Sequence, residues 1–155
     1  MSAAALLREA RAAGARLATA ESCTGGLVSG AITDVAGSSD IFDRGFVTYS
    51  NAAKMQMLGV AEATLSAHGA VSEAVARQMA AGALERSDAT LAVAITGVAG
   101  PGGSERKPEG RVCFAVADGA GITAQTVEFG PLGRVEVRAA SVAHALEMLR
   151  AALTV

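Results

Sequence analysis

The chain has 155 residues, the length of one domain, and is 51% hydrophobic and 18% charged, which supplies enough apolar material for a sizeable core. A net charge of −2 gives no electrostatic case for a nucleic-acid partner, and no apolar run reaches the roughly 18 residues needed to span a membrane. The start of the chain has no basic segment ahead of an apolar one, and Cys23 and Cys113 lie far apart with no metal-binding spacing. The expectation is therefore a single cytoplasmic domain, residues 1–155, with reduced thiols.

Residues 2–13 are alanine-rich, with Leu6, Leu7, Arg8, Glu9 and Arg11, and predict a helix closed by Gly14. Residues 17–20 are a short apolar run, read as a buried strand. The run turns polar at 21–24, and Gly25-Gly26 opens a helical pattern over 27–32 that fades at 35–37. A loop at 37–40 leads to a strand at 42–49. Asn51 is placed to cap a short helix, 52–58, that ends at Gly59, and a further helical turn follows at 61–67. Ser72 caps the clearest mid-chain helix, 73–85, where Val75, Met79 and Ala83 recur every four residues. Residues 91–95 are continuously apolar, as in a strand covered on both faces. A loop rich in Gly, Pro and charge fills 96–110. Strand patterns at 112–117 and 122–129, separated by a turn at 118–121, form an antiparallel hairpin in the C-terminal part of the chain. A closing helix starts near Gly133 with the core stripe Val142, Leu146, Leu149 and Leu153. Apolar strands between helices, plus a hairpin, imply an α/β protein with a layered sheet that mixes parallel and antiparallel strands.

Four stretches can carry chemistry. The first is the junction of the strand at 17–20 with the helix at 27–32. A strand running into a helix leaves free N–H groups and a positive dipole end, which suit an anion or an oxyanion. Ser22 and Cys23 are possible nucleophiles there, although capping is the commoner job for Ser22 or Thr24. In the second stretch, Tyr49 ends a strand and Lys54 lies near a helix start. The dipole there pushes a lysine pKa down, which suits a general base, and the alternative is a solvated surface lysine. The third is the loop from Thr96 through Gly97, Gly100, Gly102, Gly103 and Ser104. It nearly fits a phosphate-binding P-loop, but Gly103 stands where the lysine belongs and a strand follows instead of a helix, so a nucleoside-triphosphatase is rejected. In the fourth, Arg134 and Arg138 share one helix face; an arginine there can reach a phosphate in a cleft or pair with Glu136, Glu21 or Asp43. His68 and His144 stand alone. A serine without a histidine base leaves a serine–lysine arrangement as the natural option.

Taken together, Ala20-Glu-Ser-Cys-Thr-Gly-Gly26, Tyr49-Ser-Asn-Ala-Ala-Lys54, Gly69-Ala-Val-Ser-Glu73, Thr96-Gly-Val-Ala-Gly-Pro-Gly-Gly103, Lys107-Pro-Glu-Gly110 and Val137-Arg138 resemble the C-terminal domain of the competence-damage protein CinA. That domain also occurs alone as a nicotinamide-nucleotide amidase, and this chain looks like the stand-alone form. The resemblance implies a three-layer α/β/α sandwich. It also implies hydrolysis of nicotinamide mononucleotide to nicotinic acid mononucleotide and ammonia, with no metal or cofactor, in a homo-oligomer, a dimer. The family's nucleophile falls on Ser22, its tyrosine and lysine on Tyr49 and Lys54, its threonine on Thr96 and its late arginine on Arg138. The position of Cys23 is not confined to cysteine in that family. Thr24, Gly25 and Gly26 would supply oxyanion donors, Thr96 with Gly100, Gly102 and Gly103 would line the pocket, and Arg138 or that loop would hold the phosphate. The closing helix of the family is usually entered through a Gly-Asp-Arg type of segment, whereas here Gly133 precedes Arg134 directly. The competing expectation is a non-catalytic nucleotide-binding module in competence or DNA-damage responses.

Overall fold

A computed structural model describes residues 3–154. Its strands are β1 (Leu17–Glu21), β2 (Phe42–Val47), β3 (Leu91–Gly97), β4 (Arg111–Asp118) and β5 (Gly121–Glu128). Its helices are α1 (Ala3–Ala13), α2 (Leu27–Thr33), α3 (Asn51–Leu58), α4 (Glu62–His68), α5 (Glu73–Glu85) and α6 (Arg134–Leu153), with a 3-10 turn at Ser38–Asp40. The strands form one five-stranded sheet in the order β2-β1-β3-β4-β5. β1 runs parallel to β2 and β3, while β4 and β5 are antiparallel additions.

Side-chain alternation along the central strands divides the interior in two. Leu17, Leu91, Val93, Ile95, Val112, Phe114 and Val116 point to one face and pack with α1, α2 and α6. Ala18, Ala20, Ala92, Ala94, Cys113, Ala115 and Ala117 point to the other and pack with α3 and α5. The second face is made almost wholly of small residues, and α5 answers with Ala76, Ala80, Gly82 and Ala83. Helix and sheet therefore lie close together, which is where the low aromatic content of 3% is used. A methyl group at Gly82 would overlap the Leu58 carbonyl, so α3 rests on α5 only because that position is glycine. The result is the expected three-layer sandwich.

The hairpin is present as β4–β5, but it does not end the chain: α6 follows it and packs back over the sheet on α1. Ser50 caps α3 by accepting from the Ala53 N–H at 3.0 Å, and Asn51 is the first helical residue instead of the cap. Ser72 caps α5 as expected. The buried stripe of α6 is Val137, Ser141, Ala145 and Leu149, with Leu146 beside it. Val142 and Leu153 are only half-buried at its border, because the helix is rotated to bring its small residues onto the sheet.

From β1 the chain crosses by α2 to β2 on one side of β1, then returns through α3, α4 and α5 to β3 on the other side. The switch in direction between β1 and β3 opens a crevice at the C-terminal ends of the parallel strands, where open α/β sheets bind ligands.

Candidate active site

Glu21 is the last residue of β1 and is fully buried. Alternation turns its side chain toward α2. There the carboxylate accepts from the N–H groups of Gly26 (3.2 Å), Val28 (2.8 Å) and Ser29 (3.0 Å), and from the Ser29 hydroxyl (2.7 Å). The start of α2 is thus capped by a carboxylate from the preceding strand, which suits the helix dipole. Neither Ser22 nor Thr24 caps the helix: its N-cap position is Gly26, which has no side-chain bond. Gly25 (φ +56°) and Gly26 (φ +105°) make the left-handed turn that lets the chain double back to this carboxylate.

Ser22 comes one residue later and faces the opposite layer. Its backbone N–H donates to the Ile95 carbonyl at 2.9 Å, which ties it to β3. On that side Lys54, in the first turn of α3, is 1% exposed and donates from Nζ to Ser22 Oγ at 3.0 Å and to the Thr48 carbonyl at 3.2 Å. Among the described residues no carboxylate lies within salt-bridge distance of it. Burial lowers the Lys54 pKa from the usual 10.5, against the opposing pull of Cys23 and Glu105. The surface-lysine alternative is therefore set aside. Burial pushes the Cys23 thiol up to about 11, so it is protonated near neutral pH and unsuited to nucleophilic attack. The buried hydroxyls of Thr24 and Thr48, both between Ser22 and Lys54 in sequence, have no hydrogen-bond partner among the described residues.

The pair opens into a cleft of about 300 Å³, lined by the end of β3 and by the loop after it. Thr96 is buried in its wall and donates to the Ala70 carbonyl at 2.9 Å. Gly100, Gly102 and Gly103 line the rim. The long loop is fastened at several points. Glu109 accepts from the N–H of Gly102 (2.7 Å) and of Gly133 (3.3 Å), Lys107 donates to the carbonyls of His68 (3.1 Å) and Val71 (2.8 Å), and Glu105 accepts from the Ala70 N–H (3.1 Å).

The other expected site residues fall in different places. Tyr49 lines the cleft but is 60% exposed, and its hydroxyl accepts from Arg134 at 2.8 Å, with no bond to Lys54 or Ser22. Arg138 lies behind the Ser22 turn. Its Nε donates to the Cys23 carbonyl (3.0 Å) and its guanidinium to the Thr24 carbonyl (3.3 Å), so it neither lines the cleft nor pairs with Glu136, Glu21 or Asp43. These two carbonyls orient Arg138 without the family's usual aspartate. Thr24, Gly25 and Gly26 also lie outside the cleft lining; the Gly25 N–H is bonded to the Ser22 carbonyl and that of Gly26 to Glu21. Arg134 is the arginine that reaches the cleft, where it donates to the Gly100 carbonyl at 2.7 Å as well as to Tyr49. Spacing alone places Arg134 and Arg138 on one face and cannot rank them. The capping role of Glu21 had a sequence signal: a carboxylate that ends an apolar strand must find donors nearby. Among the described residues no three His, Cys, Asp or Glu side chains gather as a metal site, and no helix is long and apolar enough to cross a membrane.

Comparison with known proteins matches residues 1–153 to the family described as CinA C-terminal domain. The nicotinamide-nucleotide amidohydrolase PncC of Escherichia coli K12 is 56% identical over 142 residues, which cover 90% of this chain and 85% of that protein. A putative competence-damage inducible protein of Symbiobacterium thermophilum is 56% identical over 148 residues, 88% of this chain but 34% of that longer protein. The crystal structure of a competence/damage inducible protein from Agrobacterium tumefaciens superposes with a TM-score of 0.94 at 51% identity, over 99% of this chain and 93% of that one.

Proposed function

The chain belongs to the CinA C-terminal domain family, and from that premise we propose that it is a nicotinamide-nucleotide amidohydrolase, which converts nicotinamide mononucleotide to nicotinic acid mononucleotide and ammonia. The observation that carries this reading is the buried Lys54 Nζ at 3.0 Å from Ser22 Oγ, beside a cleft of small-ligand size. A cation this buried, with no salt-bridging carboxylate among the described residues, is pushed toward its neutral form, and a neutral amine facing a serine hydroxyl is a general base.

Lys54 takes the proton from Ser22 as Oγ attacks the carboxamide carbon. The resulting ammonium returns the proton to the departing nitrogen, ammonia leaves, and an acyl-enzyme remains. Lys54 then takes a proton from water, which attacks the ester and frees the carboxylate and Ser22. The oxyanion needs a donor on the Ser22 side. Gly25 and Gly26 have spent their N–H groups, which leaves those of Cys23, in the cleft lining, and of Thr24. Arg138 binds the carbonyl of the Cys23–Thr24 peptide, and in a trans peptide the N–H points the opposite way, so Arg138 acts as a positioning residue for the Thr24 donor. One such donor is worth about 3 kcal/mol. Tyr49 acts at the cleft mouth, and Thr96 holds the wall against residue 70. The reaction uses no metal or cofactor. We place the enzyme in the cytoplasm, without nucleic-acid partners, as a homodimer; exposed Val47, Leu132 and Val135 offer apolar surface for self-association.

The test is ammonia release from nicotinamide mononucleotide with chelator present. Wild type turns over, Ser22→Ala and Lys54→Ala lose at least about 10³-fold, and Cys23→Ala stays within about tenfold. Turnover that survives Ser22→Ala but not Lys54→Ala overturns the covalent scheme. A folded wild-type protein that binds the nucleotide and releases no ammonia favours the binding module instead.

A further inference from the structure

We propose that Arg134, together with the Tyr49 hydroxyl it holds, forms the subsite for the 5′-phosphate of the nucleotide at the mouth of the cleft. The inference rests on the amidase reading, because it takes the carboxamide to lie at Ser22 and Lys54. The charged side chains lining the cleft are Lys54, Glu105 and Arg134. A phosphate dianion beside Lys54 would stabilise its ammonium form, raise its pKa and remove the base. Beside Glu105 the phosphate would meet a like charge. Arg134 is the remaining lining cation, and Glu105 drives the phosphate toward it.

The two other candidates are already occupied. The guanidinium of Arg138 is spent on the carbonyls of Cys23 and Thr24, outside the cleft. The glycine-rich loop has an anion of its own: the Glu109 carboxylate takes the N–H of Gly102 and of Gly133, and it packs against Gly100 so closely that a methyl there would collide with it. A second anion on that loop would face Glu109.

Arg134 has unspent capacity. Its guanidinium gives one N–H to the Gly100 carbonyl and one to Tyr49, and its other N–H groups remain for a phosphate. The Tyr49 hydroxyl accepts from Arg134, which leaves its own proton to donate. Both partners of Arg134 are neutral, so a phosphate competes with them favourably through charge-assisted bonds.

The experiment measures binding of nicotinamide mononucleotide and of nicotinamide riboside, which lacks the phosphate, by calorimetry on Ser22→Ala and on Ser22→Ala/Arg134→Ala. Ammonia release by the wild type is followed alongside. The nucleotide is preferred by Ser22→Ala, and the preference falls at least about tenfold when Arg134 is removed, the expected size for lost charged hydrogen bonds. Arg134→Lys restores part of it, because charge returns without the fork. A merely structural Arg134 would weaken both compounds equally. An unchanged ratio overturns the proposal, and so does a Ser22→Ala protein with no preference for the nucleotide. No ammonia from the wild type defeats the amidase reading, while the ratio of affinities still judges the phosphate subsite.

Discussion

Burial acts in opposite senses on the side chains around Ser22. It raises the Cys23 thiol to about 11 and so silences the more reactive atom, while it lowers the Lys54 ammonium and so exposes a base. The same shift has a cost in stability. Between its folded pKa and the unfolded value near 10.5, Lys54 binds more protons unfolded than folded, so stability rises with pH through that window. Below the window the lysine is protonated in both states and the burial penalty is fully present. Lys54→Met, of similar length and no charge, is therefore expected to unfold at higher temperature than wild type at about pH 6, with the gap closing as pH approaches 10. Wild-type kcat/KM should climb with pH over the same range, with an inflection below 10.5. Parallel melting profiles for the two proteins across pH would show that Lys54 is not the buried titrating group.

Single positions at element ends govern how Ser22 is presented. β1 stops where its alternation delivers Glu21 to the start of α2 and Ser22 to the layer of α3. Glu21 holds the α2 end of this turn and Arg138, reaching in from α6, holds its carbonyls. Removing the buried carboxylate strands several N–H groups. Glu21→Ala is expected to cost about 3 kcal/mol or more in chemical denaturation. On the proposed mechanism it should also lower kcat more than it raises KM, since the turn carries Ser22 and the N–H groups beside it. Glu21→Gln recovers only part, because its amide N–H₂ would face donors. A variant with wild-type stability would show that α2 does not need this cap.

At the scale of the molecule, the site draws on every layer: Ser22 just past the end of β1, Lys54 from α3 in one layer, Arg134 and Arg138 from α6 in the other, and Thr96 near the end of β3. Neighbouring residues of β1, β3 and β4 belong to opposite cores, so neither helical layer can leave the sheet without exposing the strand that supports the other. Urea unfolding followed by far-UV circular dichroism and by residual ammonia release is therefore expected to give one coincident transition. Activity lost at clearly lower urea, with the dichroism unchanged, would show instead that the site layer opens on its own.

Most of the architecture, and the two residues that meet as the Ser22–Lys54 pair, are legible along the chain. Alternating small and large residues, the glycines at Gly25 and Gly59, and the caps at Ser72 and Gly14 act over a few residues, and such local rules are readable along a chain. The motifs around Ser22 and Lys54 likewise survive as strings. The rotation of α6, and with it which of Arg134 and Arg138 enters the cleft, is set by packing between layers; helical spacing makes the two neighbours, and the burial of Val137 and Ser141 points them apart. The same holds for Glu109, whose carboxylate fills the glycine loop, and for Glu21, whose donors lie in the following helix. A charged side chain's role depends on which distant donors reach it, and those distances exist only once the layers have closed.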